Sequence, residues 1–135
     1  MHIGTTLSER NLTGKERTIF IIDDDSSLCR ALGRLLKSAG YRNVHKFTSA
    51  EDFLSSVPFE NPSLLILDLQ LPGMSGIELM KYLQVYGISL PVILISAHDE
   101  ELARAKGMKN SAVSFLHKPF DEKELISVIH SMIPA

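Results

Sequence analysis

Four places in the sequence carry residue types that could together handle a phosphoryl group. Three consecutive aspartates occupy positions 23–25, and Asp68, Ser96 and Lys118 add a carboxylate, a hydroxyl and an ammonium. A carboxylate can attack phosphorus and form an aspartyl phosphate, while Mg²⁺ and a lysine neutralise charge on the equatorial oxygens. Neighbouring carboxylates repel one another unless a cation lies among them, and oxygen ligands of this type suit Mg²⁺. These residues predict Mg²⁺-dependent phosphoryl transfer if the fold brings them together.

Short apolar runs alternate along the chain with segments of helical periodicity. The runs cover residues 19–22, 44–47, 64–67, 92–95 and 112–116. Three are apolar nearly throughout, which is typical of parallel strands that are covered on both faces. A helix is predicted after each run. The first is indicated by apolar residues three and four positions apart from Leu28 to Ala39, with Gly40 as its end. The other four begin at polar residues, namely Ser49, Ser75, Asp99 and Asp121.

This order of elements predicts an α/β fold, a doubly wound five-stranded parallel sheet with helices on both faces. The carboxyl ends of parallel strands share one edge of a sheet, so the four places above should converge there. Residues 1–17 are polar and without clear period, and we expect a flexible N-terminal arm. Residues 18–135 should form one domain.

Each candidate also has an ordinary structural interpretation. An aspartate after a strand often caps the next helix, and Asp25 or Ser26 should do so here. A serine after a strand is usually a turn residue, and a lysine is usually a solvated charge. Asp68 fits this interpretation least, because a loop containing Pro72 and Gly73 follows it instead of a helix.

Composition restricts the other classes of function. The 135 residues carry a formal net charge of −2 and no basic run, which argues against a general nucleic-acid binder. Cys29 is the only cysteine, so no intrachain disulfide forms, and a cytoplasmic location is expected. The apolar runs are too short to span a bilayer, which needs about 20 residues, so no membrane association is expected.

The motifs at the strand ends resemble those of response-regulator receiver domains. The matching segments are IIDDD at 21–25, LDLQLPGMSG at 67–76, ISA at 95–97 and FLHKPF at 115–120. The spacings of 28 residues from Asp68 to Ser96 and 50 residues to Lys118 also agree. These segments most resemble the sequences of receivers that precede a helix-turn-helix domain. The family's strand order is the flavodoxin-like 2-1-3-4-5.

The resemblance implies a role for each residue of the site. Asp68 would be the phosphorylated residue, and Lys118 would pair with the phosphoryl group. Mg²⁺ would be the cofactor, held by Asp24, Asp68 and the backbone carbonyl of Gln70, with Asp23 acting through a water.

It also implies a signalling function. Ser96 would be the switch hydroxyl and Phe115 the switch aromatic, and the Lys118–Pro119 peptide bond would be cis. The phosphoryl donor would be a sensor histidine kinase or a phosphotransfer protein. Phosphorylation would change the face built from the fourth helix, the fifth strand and the fifth helix, with homodimerisation as the expected readout. Transcription regulation would follow through a DNA-binding output domain, which is absent from the residues up to Ala135.

Two alternatives remain open at this stage. A haloacid-dehalogenase-like phosphatase would use Asp23 as nucleophile, although it would leave Asp68 and its loop without a role. A binding module could also keep this fold without being phosphorylated, although the complete set of candidate residues argues against that hypothesis.

Overall fold

Five parallel strands form one sheet in the order β2-β1-β3-β4-β5, which confirms the expected fold class. The computed structural model describes residues 14–56, 63–108 and 113–134. Within them the strands are β1 (Thr18–Ile22), β2 (Asn43–Phe47), β3 (Ser63–Asp68), β4 (Val92–Ser96) and β5 (Val113–His117). Residue 112, the first of the run expected for the last strand, lies outside these ranges.

A helix follows each strand, and the helices cover both faces of the sheet. They are α1 (Ser26–Ser38), α2 (Ala50–Ser56), α3 (Gly76–Val85), α4 (Asp99–Lys106) and α5 (Glu122–Met132). Alternate residues of β1 belong to two separate cores, because successive side chains of a strand point to opposite faces. Ile19 and Ile21 pack in the core that α1 and α5 cover, and Phe20 and Ile22 pack in the core under α2, α3 and α4.

Side-chain caps fix where four of the helices begin. At α2, the hydroxyl of Ser49 accepts the backbone N–H of Asp52 at 3.0 Å. Asp25 caps α1, since its carboxylate accepts the backbone N–H groups of Ser27 at 3.0 Å and Leu28 at 3.2 Å. Ser75 and Glu78 form a reciprocal capping box at the start of α3, and Asp121 caps α5. The aspartate run thus includes a residue that belongs to the helix, as expected for Asp25.

The loop after β3 is folded closely against the end of that strand. Gly76, the first residue of α3, donates its N–H to the carbonyl of Leu69 at 3.1 Å. A Cβ atom on Gly76 would lie 2.6 Å from the carbonyl oxygen of Asp68 and 2.7 Å from the Cα of Leu69. Only glycine fits this approach, so Gly76 sets the path of the chain immediately after Asp68.

The folded region begins before Thr18. Residues 14–16 form a single 3₁₀ turn, and the N–H of Gly14 donates to the carbonyl of Pro134 at 3.0 Å. This contact places residues 14–17 with the domain and not with an arm, while residues 1–13 lie outside the described ranges. The sequence analysis assigned residues 14–17 to a flexible arm because they show no hydrophobic periodicity. Backbone hydrogen bonds hold this polar segment, and they do not require such periodicity. No helix in the described part of the chain is long and apolar enough to cross a membrane.

Replacement of Gly76 by alanine should lower the free energy of unfolding by roughly 1–3 kcal/mol, because the new Cβ must displace backbone atoms. Gly33→Ala is the matched control in α1. Its Cβ would meet the side chain of Lys46 at an ordinary 3.5 Å, so it should stabilise the fold by up to about 1 kcal/mol. Urea titration measures both changes. A Gly76→Ala protein as stable as the wild type would show that the loop is not held against β3.

Candidate functional site

Three carboxylates meet at the carboxyl-terminal edge of the sheet. Asp23 and Asp24 follow β1, and Asp68 is the last residue of β3, the neighbouring strand on which Leu67 pairs with Ile22. One carboxylate oxygen from each of the three lies within 4.8 Å of the others. Asp23 and Asp68 are 0% and 5% exposed, whereas Asp24 is open to solvent.

Lys118 bridges the two buried carboxylates. Its Nζ lies 2.9 Å from Oδ2 of Asp23 and 2.9 Å from Oδ2 of Asp68. The residue follows β5 and precedes a cis peptide bond to Pro119, as the resemblance implied. Its backbone N–H donates to the carbonyl of Ser96 at 2.8 Å. The chain ends of four strands are therefore connected through this one lysine.

Backbone groups occupy the remaining oxygens of the buried pair. Oδ1 of Asp23 accepts the N–H of Asp25 at 2.9 Å, and Oδ1 of Asp68 accepts the N–H of Gln70, also at 2.9 Å. Because each carboxylate has one oxygen on the backbone and one on Lys118, both side chains have a fixed orientation.

Burial and charge act in opposite directions on these groups. Burial raises the pKa of Asp23, as does the negative charge of Asp68, and together they outweigh the hydrogen bonds that Asp23 accepts. Burial by itself would lower the pKa of the Lys118 ammonium, but its hydrogen bonds and charge contacts with Asp23 and Asp68 raise it above the ordinary value. Lys118 is therefore a firmly protonated cation at neutral pH.

The donor set fits a hard divalent cation. Three carboxyl groups lie close together and one ammonium contacts two of them, so Lys118 alone does not balance the charge of the cluster. Oxygen ligands with an exposed carboxylate at the rim suit Mg²⁺, which binds through few protein oxygens and keeps several waters. Asp23, Asp24 and Asp68 are the side chains that could hold it.

Ser96 is buried at the end of β4, but its hydroxyl faces an acid that the sequence did not single out. Its Oγ donates to Oε1 of Glu101 at 2.8 Å and accepts the N–H of His98 at 2.9 Å. Glu101 lies in α4, beside two other acids of the same turn, Asp99 and Glu100. The sequence pattern does not distinguish Glu101 from these two neighbours, because acidic residues are common in the first turn of a helix.

The other expected residues occupy separate positions around the cluster. Phe115 in β5 is partly buried against the core that α4 covers, with Nζ of Lys106 at 5.5 Å from its ring centroid. Gln70 is exposed in the loop after β3, and His98 is exposed at the start of α4. Asp25 caps α1 and is not part of the carboxylate cluster.

Residues 19–130 match the family described as response regulator receiver domain. The response regulator protein TodT of Pseudomonas putida is 36% identical over 124 residues, which make up 92% of this chain and 54% of TodT. The transcriptional regulatory protein FixJ of Bradyrhizobium diazoefficiens is 35% identical over 115 residues, or 85% of this chain and 56% of FixJ. The chain thus spans about half the length of the curated relatives it matches.

Solved structures agree with the sequence matches. The response regulator StyR superposes with a TM-score of 0.80 at 38% identity, over 87% of this chain and 59% of StyR. FixJ-N superposes with a TM-score of 0.73 at 32% identity, over 87% of this chain and 93% of that one. The chain therefore belongs to the response regulator receiver domains, which are signalling domains of two-component systems and not classical enzymes.

Proposed function

We propose that Asp68 accepts a phosphoryl group from a sensor histidine kinase or a phosphotransfer protein, with Mg²⁺ as cofactor. The observation that carries the proposal is the ammonium of Lys118, 2.9 Å from both Asp23 and Asp68, beside the exposed carboxylate of Asp24. A nucleophile, a fixed cation and a place for a metal thus share one edge of the sheet, which is what phosphoryl transfer requires.

Burial favours Asp68 over Asp23 as the nucleophile. Asp23 has no solvent exposure, and burial raises its pKa, so its carboxyl group is poorly accessible to a phosphoryl donor. Asp68 keeps a small exposed fraction of 5% at the end of its strand. Its Oδ2 contacts Lys118, so a group attached to Asp68 would begin within reach of a cation.

The roles of the surrounding residues follow from their positions. When bound, Mg²⁺ would neutralise charge on the phosphoryl oxygens, held by Asp24, Asp68 and the carbonyl of Gln70, with Asp23 contributing through a water. Lys118 would pair with a phosphoryl oxygen, and the hydroxyl of Ser96 would donate a hydrogen bond to another. Backbone N–H groups keep the carboxylates oriented during transfer.

The signal would be read on the face of α4, β5 and α5. A phosphoryl group adds about −1.5 to −2 charges and strong acceptor oxygens. Movement of Ser96 toward it would vacate space that Phe115 could fill, and this would change the surface around α4. Homodimerisation through this face is the readout we propose, and transcription regulation in the cytoplasm is the corresponding output. TodT is named a response regulator and FixJ a transcriptional regulatory protein.

The alternatives have less support. Membership of the receiver family disfavours a phosphatase that uses Asp23. A module without phosphorylation would not need Lys118 to bridge two buried carboxylates, an arrangement that is costly to bury unless it serves a function.

An Asp68→Asn protein should remain unlabelled when incubated with acetyl phosphate and Mg²⁺, because an amide is not a nucleophile toward phosphorus. Intact-mass spectrometry measures the added phosphoryl group. Asp25→Asn is the matched control, since Asp25 caps α1 outside the cluster and should leave labelling unchanged. Stoichiometric labelling of Asp68→Asn at Asp23 would instead support the phosphatase alternative.

Asp24→Ala should abolish Mg²⁺ binding, while Asp25→Ala should bind Mg²⁺ and lose about 1 kcal/mol of stability with its helix cap. The chain has no tryptophan, so calorimetry or NMR is the suitable measurement. At a hundredfold excess over Kd, Mg²⁺ should stabilise the wild type by about 2.7 kcal/mol. The opposite pattern in the two variants would move the metal site by one residue.

Ser96→Ala should still be phosphorylated on Asp68 but fail to dimerise, because no hydroxyl can move toward the phosphoryl group. Ser96→Thr keeps the hydroxyl and should dimerise as the wild type does. Analytical ultracentrifugation with and without acetyl phosphate measures the association. Normal phosphorylation-dependent dimerisation of Ser96→Ala would show that the signal bypasses Ser96.

A further inference from the structure

The hydroxyl of Ser96 is already engaged before any phosphoryl group is present. Its single proton faces Oε1 of Glu101 at 2.8 Å, with the carbonyl of His98 a more distant acceptor at 3.4 Å, and its oxygen accepts the N–H of His98 at 2.9 Å. Ser96 is 1% exposed, so water cannot readily replace either partner. A bond from a buried hydroxyl to a carboxylate is stronger than one between neutral groups.

A serine hydroxyl has one proton, so it donates to one acceptor at a time. Ser96 directly follows Ile95, which pairs with Asp68 across the β3–β4 register. Its hydroxyl therefore belongs to the same sheet edge as the phosphoryl acceptor. A hydrogen bond to a group on Asp68 and the bond to Glu101 exclude each other.

Several contacts hold α4, and with it Glu101, in this position. Leu102 is buried in the core beneath α4. Asp99 at the start of the helix lies 3.1 Å from Nε2 of His117 in β5, and Lys106 at its end lies over the ring of Phe115. The helix that carries Glu101 thus contacts β4 and β5 at once.

A polar cleft beside Glu101 can accommodate its carboxylate when the hydrogen bond to Ser96 is broken. Glu101 lines this open cleft of about 510 Å³ together with other polar residues, which include Gln70, His98 and Arg104. Arg104 is three residues further along α4, a spacing at which opposite charges on a helix attract. Solvent and this arginine can stabilise the freed carboxylate, so the exchange of partners by Ser96 does not strand a buried charge.

We infer that Glu101 is a positioning residue that holds Ser96 away from Asp68 in the unphosphorylated chain. The inference rests on the proposed phosphorylation of Asp68 and adds the group that opposes the switch. The phosphoryl group must compete with Glu101 for the proton of Ser96. Glu101 therefore lowers the apparent affinity of the site for a phosphoryl group by keeping the responsive state sparsely populated.

The test uses beryllofluoride, a stable mimic of a phosphoryl group, in the presence of Mg²⁺. Glu101→Ala should increase the apparent affinity about tenfold, the usual scale of one hydrogen bond to a charged group. Glu100→Ala is the matched control, because Glu100 is an exposed acid in the same helical turn with no hydrogen bond to Ser96. It should change the affinity less than about twofold, since exposed charges are screened by salt.

A double-mutant cycle with Ser96→Ala shows whether Glu101 acts through Ser96. In the Ser96→Ala protein, removal of Glu101 should have no further effect. A tenfold gain that persists there would reflect charge alone and would overturn the inference, as would equal effects of the substitutions at Glu100 and Glu101. If the wild type binds no beryllofluoride, the proposed phosphorylation of Asp68 fails, which is a different result from wild-type binding that is insensitive to Glu101.

A second readout needs neither phosphate nor metal. Three-bond couplings measured by NMR report the χ1 rotamer of Ser96 in the Mg²⁺-free protein. The wild type and Glu100→Ala should show one rotamer, and Glu101→Ala should show an increased population of a second rotamer, because only His98 then holds the hydroxyl. A single, unchanged rotamer in Glu101→Ala would mean that Glu101 does not hold Ser96, and the inference would be wrong.

Discussion

The ammonium of Lys118 between Asp23 and Asp68 is the interaction on which the rest of the site depends. Two carboxylates buried side by side would repel each other strongly, and a single cation 2.9 Å from each makes their proximity possible. Removal of one member of such a buried arrangement leaves an uncompensated charge, which is typically far more destabilising than the loss of a surface ion pair. The same lysine also holds the end of β4 through the carbonyl of Ser96.

The backbone that follows β1 and β3 is held in place by local contacts, and these contacts position the carboxylates of the cluster. Asp25 ends the aspartate run by capping α1, which leaves Asp23 and Asp24 for the sheet edge. Gly76 lets α3 begin against the backbone of Asp68 and Leu69. Helix caps and a close glycine contact therefore determine the geometry of the cluster as much as the charged residues do.

Most of the fold and the core of the site could be predicted from the sequence. Apolar runs identify the parallel strands, and the residues that follow parallel strands lie at the same edge of the sheet. Asp23, Asp24, Asp68 and Lys118 come together for that reason. The partner of Ser96 could not be predicted, because Asp99, Glu100 and Glu101 are equivalent in pattern and only side-chain packing selects Glu101. The sequence analysis also did not predict the ordered turn at residues 14–16, because backbone hydrogen bonds hold it and the hydropathy pattern does not report such bonds.

The hydrogen bond from Gly14 to Pro134 lies at the edge of the sheet opposite Asp68, because Gly14 precedes β1 and Pro134 follows the antiparallel-running α5. The two ends of the described fold therefore lie next to each other, separated from Asp68 by about one strand length, roughly 17 Å. A polypeptide fused after Pro134 would start too far away to touch a phosphoryl group on Asp68. The first residues of such a polypeptide would respond to displacement of the helix and sheet between them and would not contact the phosphoryl group.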